Sequence, residues 1–205
     1  MAKNSEGESY NAGEESQFEL SWENPPELSY IPYTWARAAV LIRLNSLVKG
    51  FSGVRPVITE RLKDLLRYDI IPIIPLRGSI SASGDLSPLS YIAGALQGKR
   101  SIRVFSKSRP WRLTADCASA QAKLQPIILQ PKEGLAIVNG TAVSCAVAAL
   151  TLYDAHGLAV LAQVVTSMAV EALQGTTESF DAIFGEVRPH PGQVSICAFQ
   201  RPNTG

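Results

Sequence analysis

The residues best suited to chemistry lie in one loop, Gly78-Ser79-Ile80-Ser81-Ala82-Ser83-Gly84-Asp85, which runs into Leu86-Ser87-Pro88-Leu89-Ser90-Tyr91. Ser83 offers a hydroxyl between two of the smallest residues, and Asp85 follows with a carboxylate. Taken alone, Ser83-Gly84-Asp85 reads as turn chemistry in a flexible loop that caps a helix. A hydrolytic serine does not fit, because Ser83 lacks the flanking glycines of a nucleophile elbow and Asp154 and His156 complete no triad with it. The run Gly94 to Lys99 has the wrong glycine spacing for a phosphate loop, and Arg100 stands where a hydroxyl residue belongs. Cys117, Cys145 and Cys197, with only His156 and His190 beside them, show no zinc spacing and imply no disulfide framework. A second candidate is Gln130-Pro131-Lys132-Glu133-Gly134-Leu135-Ala136-Ile137-Val138-Asn139-Gly140-Thr141-Ala142-Val143. Its Asn139-Gly140-Thr141 is also a glycosylation sequon, which goes unread without a secretory signal.

Taken whole, the two stretches resemble the two signatures of the ammonia-lyases and aminomutases that build an electrophile from an Ala-Ser-Gly tripeptide. Arg43-Leu44-Asn45-Ser46-Leu47, Ser52-Gly53-Val54-Arg55 and Arg188-Pro189-His190-Pro191-Gly192-Gln193 extend the resemblance from about Trp35 to Gln193. It implies a 4-methylidene-imidazol-5-one (MIO) cofactor formed autocatalytically from Ala82, Ser83 and Gly84, with no metal and no nucleotide. The residue types suit that chemistry. The Gly84 nitrogen must fold back on the Ala82 carbonyl, a compression that is easiest without a Cβ, and Ser83 must lose water to leave a methylene. No common side chain is a strong carbon electrophile, so an enzyme that needs one must make it.

By the same resemblance Asn139 lies beside the cofactor and substrate, while Leu86 and Leu135 line the substrate pocket. Ser90-Tyr91, and Ala142-Val143 after the Asn-Gly-Thr run, point to phenylalanine rather than histidine, and the segment order looks closest to the fungal phenylalanine ammonia-lyases. The implied reaction is non-oxidative deamination of L-phenylalanine to trans-cinnamate and ammonia, with a phenylalanine aminomutase, a histidine ammonia-lyase or an inactive truncated chain as alternatives. The resemblance also implies a mostly α fold, a central long-helix bundle of the ammonia-lyase/fumarase-like type, and a homotetramer. The family's catalytic tyrosine and carboxylate-binding arginine are expected outside this chain; Tyr10, Tyr30 and Tyr33 sit in no matching context.

The elements that must position these loops are legible in the pattern. Residues 1–30 are rich in Glu, Ser, Asn and Gly and read as loosely attached; 31–205 read as part of a catalytic domain. Val40, Leu41, Leu44, Leu47 and Val48 recur at helical spacing before Gly50, and Pro56 opens a second helix with Ile58, Leu62 and Leu65 on one face. Pro72 and Pro75 make Ile70–Leu76 an extended segment that delivers the first loop. Ser87-Pro88 reads as the N-cap and first turn of a helix over 88–97, closed by Gly98. Residues 99–111 read as a charged surface excursion. Pro126 and Pro131 bracket a second extended piece, followed by a loop over 132–141. Residues 142–173 then form one long helix, apolar nearly all the way round, suited to a bundle or subunit core.

Composition sets the class. Apolar residues make up 46% and charged residues 18% of 205, with a net charge of +1. That balance argues against a nucleic-acid partner. The acidic start has no apolar run and is no signal peptide, and the 142–173 stretch is interrupted by Asp154 and His156, so no membrane span and a cytoplasmic protein are expected.

Overall fold

The computed structural model describes residues 29–105 and 113–200. It divides into two compact units, one ending at Ala148 and one beginning at Ala149. Helix α1 (Tyr33–Val48) buries Ala36, Ala39, Val40, Arg43 and Leu47, a stripe at helical spacing. Leu41 and Val48, expected on that stripe, are instead exposed. The buried face is thus centred on Ala36, Ala39, Val40, Arg43 and Leu47 and turned away from Leu41 and Val48. Gly50, at φ +83°, ends the segment as expected.

Helix α2 (Pro56–Arg67) starts at its proline and buries Ile58, Leu62 and Leu65 against α1. Burial of each contributes about 1.5–3 kcal/mol. The chain then runs extended through Ile70, Ile71 and Ile74, all buried. This segment is tied on both sides: Ile31 N–H donates to the Ile74 carbonyl (2.9 Å), and Phe105 N–H donates to the Ile71 carbonyl (2.8 Å). Tyr30 pairs with Pro75 as an isolated bridge, so Ser29 and Tyr30 belong to the fold rather than to the loose start; residues 1–28 lie outside the described residues.

Helix α3 spans Leu86–Leu96, starting two residues and ending one residue earlier than the predicted 88–97. Asp85, not Ser87, holds the N-cap position, and Pro88 falls within the first turn, where a missing N–H costs nothing. Gly98 follows at φ +61°. The charged excursion is the base of a hairpin, β1 (Arg103–Val104) antiparallel to β2 (Leu113–Thr114); its middle, 106–112, lies outside the described residues. Helix α4 (Ala115–Gln121) follows directly.

Residues 132–141 are not simply a loop. They contain a short helix, α5 (Glu133–Val138), which packs on α3 and buries Glu133 and Ile137. Helix α6 (Ala142–Ala172) covers the predicted long segment. The helical stretch Glu133–Ala172 holds an 18-residue window of mean hydropathy 1.9 and is long and apolar enough to cross a membrane by length and composition, contrary to the expectation that Asp154 and His156 rule this out. Only 22% of that window is buried within the chain, so most of its apolar surface faces outward.

In the second unit Thr176 caps a 3-10 turn (Thr177–Phe180), and Asp181 caps α7 (Ala182–Val187) by accepting from Ile183 N–H (2.9 Å). Helix α8 (Pro191–Gln200) packs on α7.

Candidate functional site

The first loop is held from below by Asp85, which is 2% exposed. Its carboxylate accepts from the Ser79 hydroxyl and from Ile80 N–H (3.2 Å), and the Ser79 oxygen in turn accepts from Ser81 N–H (3.1 Å). Asp85 therefore turns its side chain back onto the loop rather than capping α3. Ser81 takes a positive φ of +54°, a strained turn that these bonds secure. The effect is a bracket, Ser79 to Asp85, with Ala82, Ser83 and Gly84 carried across its open side. Ser83 is exposed; Ala82 and Gly84 are half-buried. The amino end of α3, with its unpaired N–H groups and positive dipole end, begins just behind them.

Asn139 reaches this tripeptide from the second stretch. A Cβ placed on Gly84 would lie 2.6 Å from Asn139 Oδ1 and 3.5 Å from Leu86 Cδ1. The two segments singled out in the sequence thus meet at Gly84, where a Cβ would push the Asn139 carboxamide aside. Leu135 lies one turn before Asn139, whose N–H donates to the Leu135 carbonyl (2.9 Å), so the two share one side of α5. Leu86 and Leu135 are both exposed, at 44% and 56%, as large apolar side chains flanking the Ser83 loop and Asn139. Such a surface is available to a ligand ring.

Helix α5 is too short to hold itself and is clamped at both ends by arginines. At its start Arg55 makes a two-pronged pair with Glu133, Nε to Oε1 at 2.7 Å and Nη2 to Oε2 at 2.8 Å. Glu133 also accepts from Gln130 N–H (2.7 Å), and Arg55 donates to the Ile128 carbonyl (2.9 Å). The Arg55 guanidinium, outweighing burial, holds the Glu133 carboxyl down at about 2. At its end Arg43, 6% exposed, donates to the carbonyls of Ile137 (2.8 Å), Asn139 (2.9 Å) and Ala136. Burial lowers the Arg43 pKa, and the carbonyl end of α5 supplies the compensating negative potential. A Cβ on Gly140 would sit 2.5 Å from Arg43 Nη1, so Gly140 gives the guanidinium its place.

Arg43, Arg55, Glu133 and Asp85 were not singled out as site residues from sequence. The available signal was a charged residue at a helical core position (Arg43) and acidic residues at the two helix starts. Tyr33 is committed elsewhere: its hydroxyl bonds Asp69 beside Arg37, and burial, with that bond, raises its pKa.

Residues 22–202 match the family model for aromatic amino acid lyase. The chain is 53% identical over 171 residues to phenylalanine ammonia-lyase 1 of Pleurotus ostreatus, covering 80% of this chain and 23% of that protein. It superposes on the crystal structure of phenylalanine ammonia-lyase from Rhodosporidium toruloides with a TM-score of 0.77 and 45% identity, over 85% of this chain and 27% of that one. Tyrosine aminomutase from Streptomyces globisporus is also similar, with a TM-score of 0.74 and 36% identity over 91% and 34% of the two chains. The chain spans about a quarter of the length of the curated relatives it matches.

Proposed function

The chain belongs to the aromatic amino acid lyase family, and from that premise we propose that it carries the electrophile-bearing part of a phenylalanine ammonia-lyase. The approach of Asn139 to Gly84 carries this reading, since it joins the two signature segments at the residue whose nitrogen must close the ring. The tripeptide fits an MIO group: a Cβ on residue 84 would displace the Asn139 carboxamide, and the loop on either side is pinned through Asp85. That group would supply a carbon electrophile for the substrate amine, a chemistry that no ordinary side chain offers.

The remaining roles fall on side chains of this chain. Ser83 is exposed and reachable by a substrate amine. The Asn139 carboxamide, able both to donate and to accept, orients the cofactor or the substrate from the Gly84 side. Leu86 and Leu135 offer apolar contact to a phenyl ring. The amino end of α3 stabilises negative charge that develops near the tripeptide. L-Phenylalanine as substrate, trans-cinnamate as product, a cytoplasmic location and a homotetramer complete the reading.

Intact mass tests its core. Ring closure and dehydration remove two waters, so the purified chain is expected about 36 Da below its sequence mass; an unmodified mass sinks the reading. For the longer protein, cinnamate release from L-phenylalanine separates a lyase from an aminomutase, which returns a β-amino acid instead.

A further inference from the structure

We propose that Arg43 is a positioning residue for ring closure at the tripeptide: by gripping the carbonyl end of α5, it seats Asn139 so that its carboxamide backs Gly84. The inference rests on the lyase reading above and assigns a maturation role within the same site. Three observations support it. Arg43 is buried in α1 yet has no carboxylate partner among the described residues; its guanidinium bonds go to the carbonyls of Ala136, Ile137 and Asn139. Gly140 is shaped around it, since a Cβ there would meet Nη1 at 2.5 Å. And the residue it holds by the main chain, Asn139, is the one whose side chain lies against Gly84.

The chemistry requires such a seat. The Gly84 nitrogen must attack the Ala82 carbonyl carbon and form a new C–N bond; the carbonyl oxygen leaves as water with the amide hydrogens of Gly84 and Ser83, and the Ala82 carbon becomes doubly bonded to the Ser83 nitrogen. Ser83 then gives up its hydroxyl and its Cα proton as a second water. No oxidant or co-reactant is involved. The first step is an intramolecular attack, and its rate depends on how long the nitrogen is held close to that carbon. With Asn139 behind it, Gly84 has less room to swing outward. A lysine in place of Arg43 keeps the charge but cannot spread a planar fork over three carbonyls.

The test compares the purified chain with Arg43→Lys, Gly140→Ala and a stability control, Ile58→Val, following loss of the two waters by intact mass from the moment of synthesis. Circular dichroism and melting temperature are recorded in parallel. Arg43→Lys and Gly140→Ala are expected to retain helicity and lose the two waters about tenfold more slowly or further. Ile58→Val, even where its melting temperature falls as far, is expected to mature at the wild-type rate. Should both site variants mature at the wild-type rate while folded, or should the control slow in step with its melting temperature, Arg43 is a structural clamp only and the proposal is overturned. A wild-type chain that never loses the two waters sinks the lyase reading, and this inference with it, which distinguishes the two failures. If Arg43→Lys does not fold, Gly140→Ala decides, because it crowds the guanidinium without removing it.

Discussion

Arg55 and Glu133 form a two-pronged ion pair that fastens the start of α5, and with it the segment carrying Asn139, to the turn before α2. The pair has a pH signature. Burial notwithstanding, the Arg55 guanidinium holds the folded Glu133 carboxyl at about 2, below its ordinary value of 4.5 in an unfolded chain. A depressed folded value means that the unfolded chain binds protons first as pH falls. The stabilisation from this pair is therefore complete above the unfolded value and drains away between about pH 5 and pH 2. Glu133→Gln should lose stability near neutrality and show a flatter melting temperature against pH across that acid window. Parallel curves for the two proteins through the window would show that the pair does not control it.

Asp85 is expected to be the most sensitive residue of the first loop. Replacement by Ala leaves the Ser79 hydroxyl and the Ile80 N–H without their acceptor beneath a loop that already holds Ser81 at positive φ. A loss of about 1.5–3 kcal/mol is expected from removing hydrogen bonds to a charged acceptor, together with incomplete loss of the two waters. Denaturant unfolding and intact mass on the same sample check both. Asp85→Asn keeps an acceptor and should recover much of the stability.

At Gly84 the expectation is a folded protein with an open loop. A Cβ there would press on the Asn139 oxygen at 2.6 Å, but that oxygen is the far end of a side chain and can turn away. Gly84→Ala should therefore leave helicity and melting temperature near wild type while the mass stays at the sequence value. Adding Asn139→Ala relieves the crowding. If the double variant then loses two waters, the bulk of Asn139 rather than the absent Cβ governs closure.

Helix starts and stops set by proline and glycine were readable, as at Pro56 and Gly98, because those residues act through their own backbone. The rotation of α1 was not. Val40 and Leu47 go inward as their spacing predicts, but Leu41 and Val48 stay out, since the choice between apolar faces depends on which neighbour packs there. Helix α5 was invisible for a related reason: six residues have little intrinsic helicity, and its stability comes from Arg55 and Arg43, far away in the chain. The tripeptide, Asn139, Leu86 and Leu135 were all named from the two signatures. That Asp85 braces the loop, and that Arg43 grips the segment bearing Asn139, are relations between distant side chains, which local spacing does not encode.

The long helix α6 makes the strongest claim on something outside this chain. Leu158, Leu161, Val165 and Met168 fall on one side at spacings of three, four and three residues, and each is more than half exposed. This is the seam expected of helices that pack along their length. Lipid and protein partners both accept such a surface, but they respond differently to charge. If the homotetramer proposed here is formed through α6, Leu161→Lys should lower the assembly state by sedimentation velocity at fixed concentration while leaving helicity unchanged, and neither protein should float with neutral phospholipid vesicles. Wild-type flotation with those vesicles would instead make α6 a membrane-seeking helix, and assembly that is indifferent to Leu161→Lys would move the subunit contact to another face.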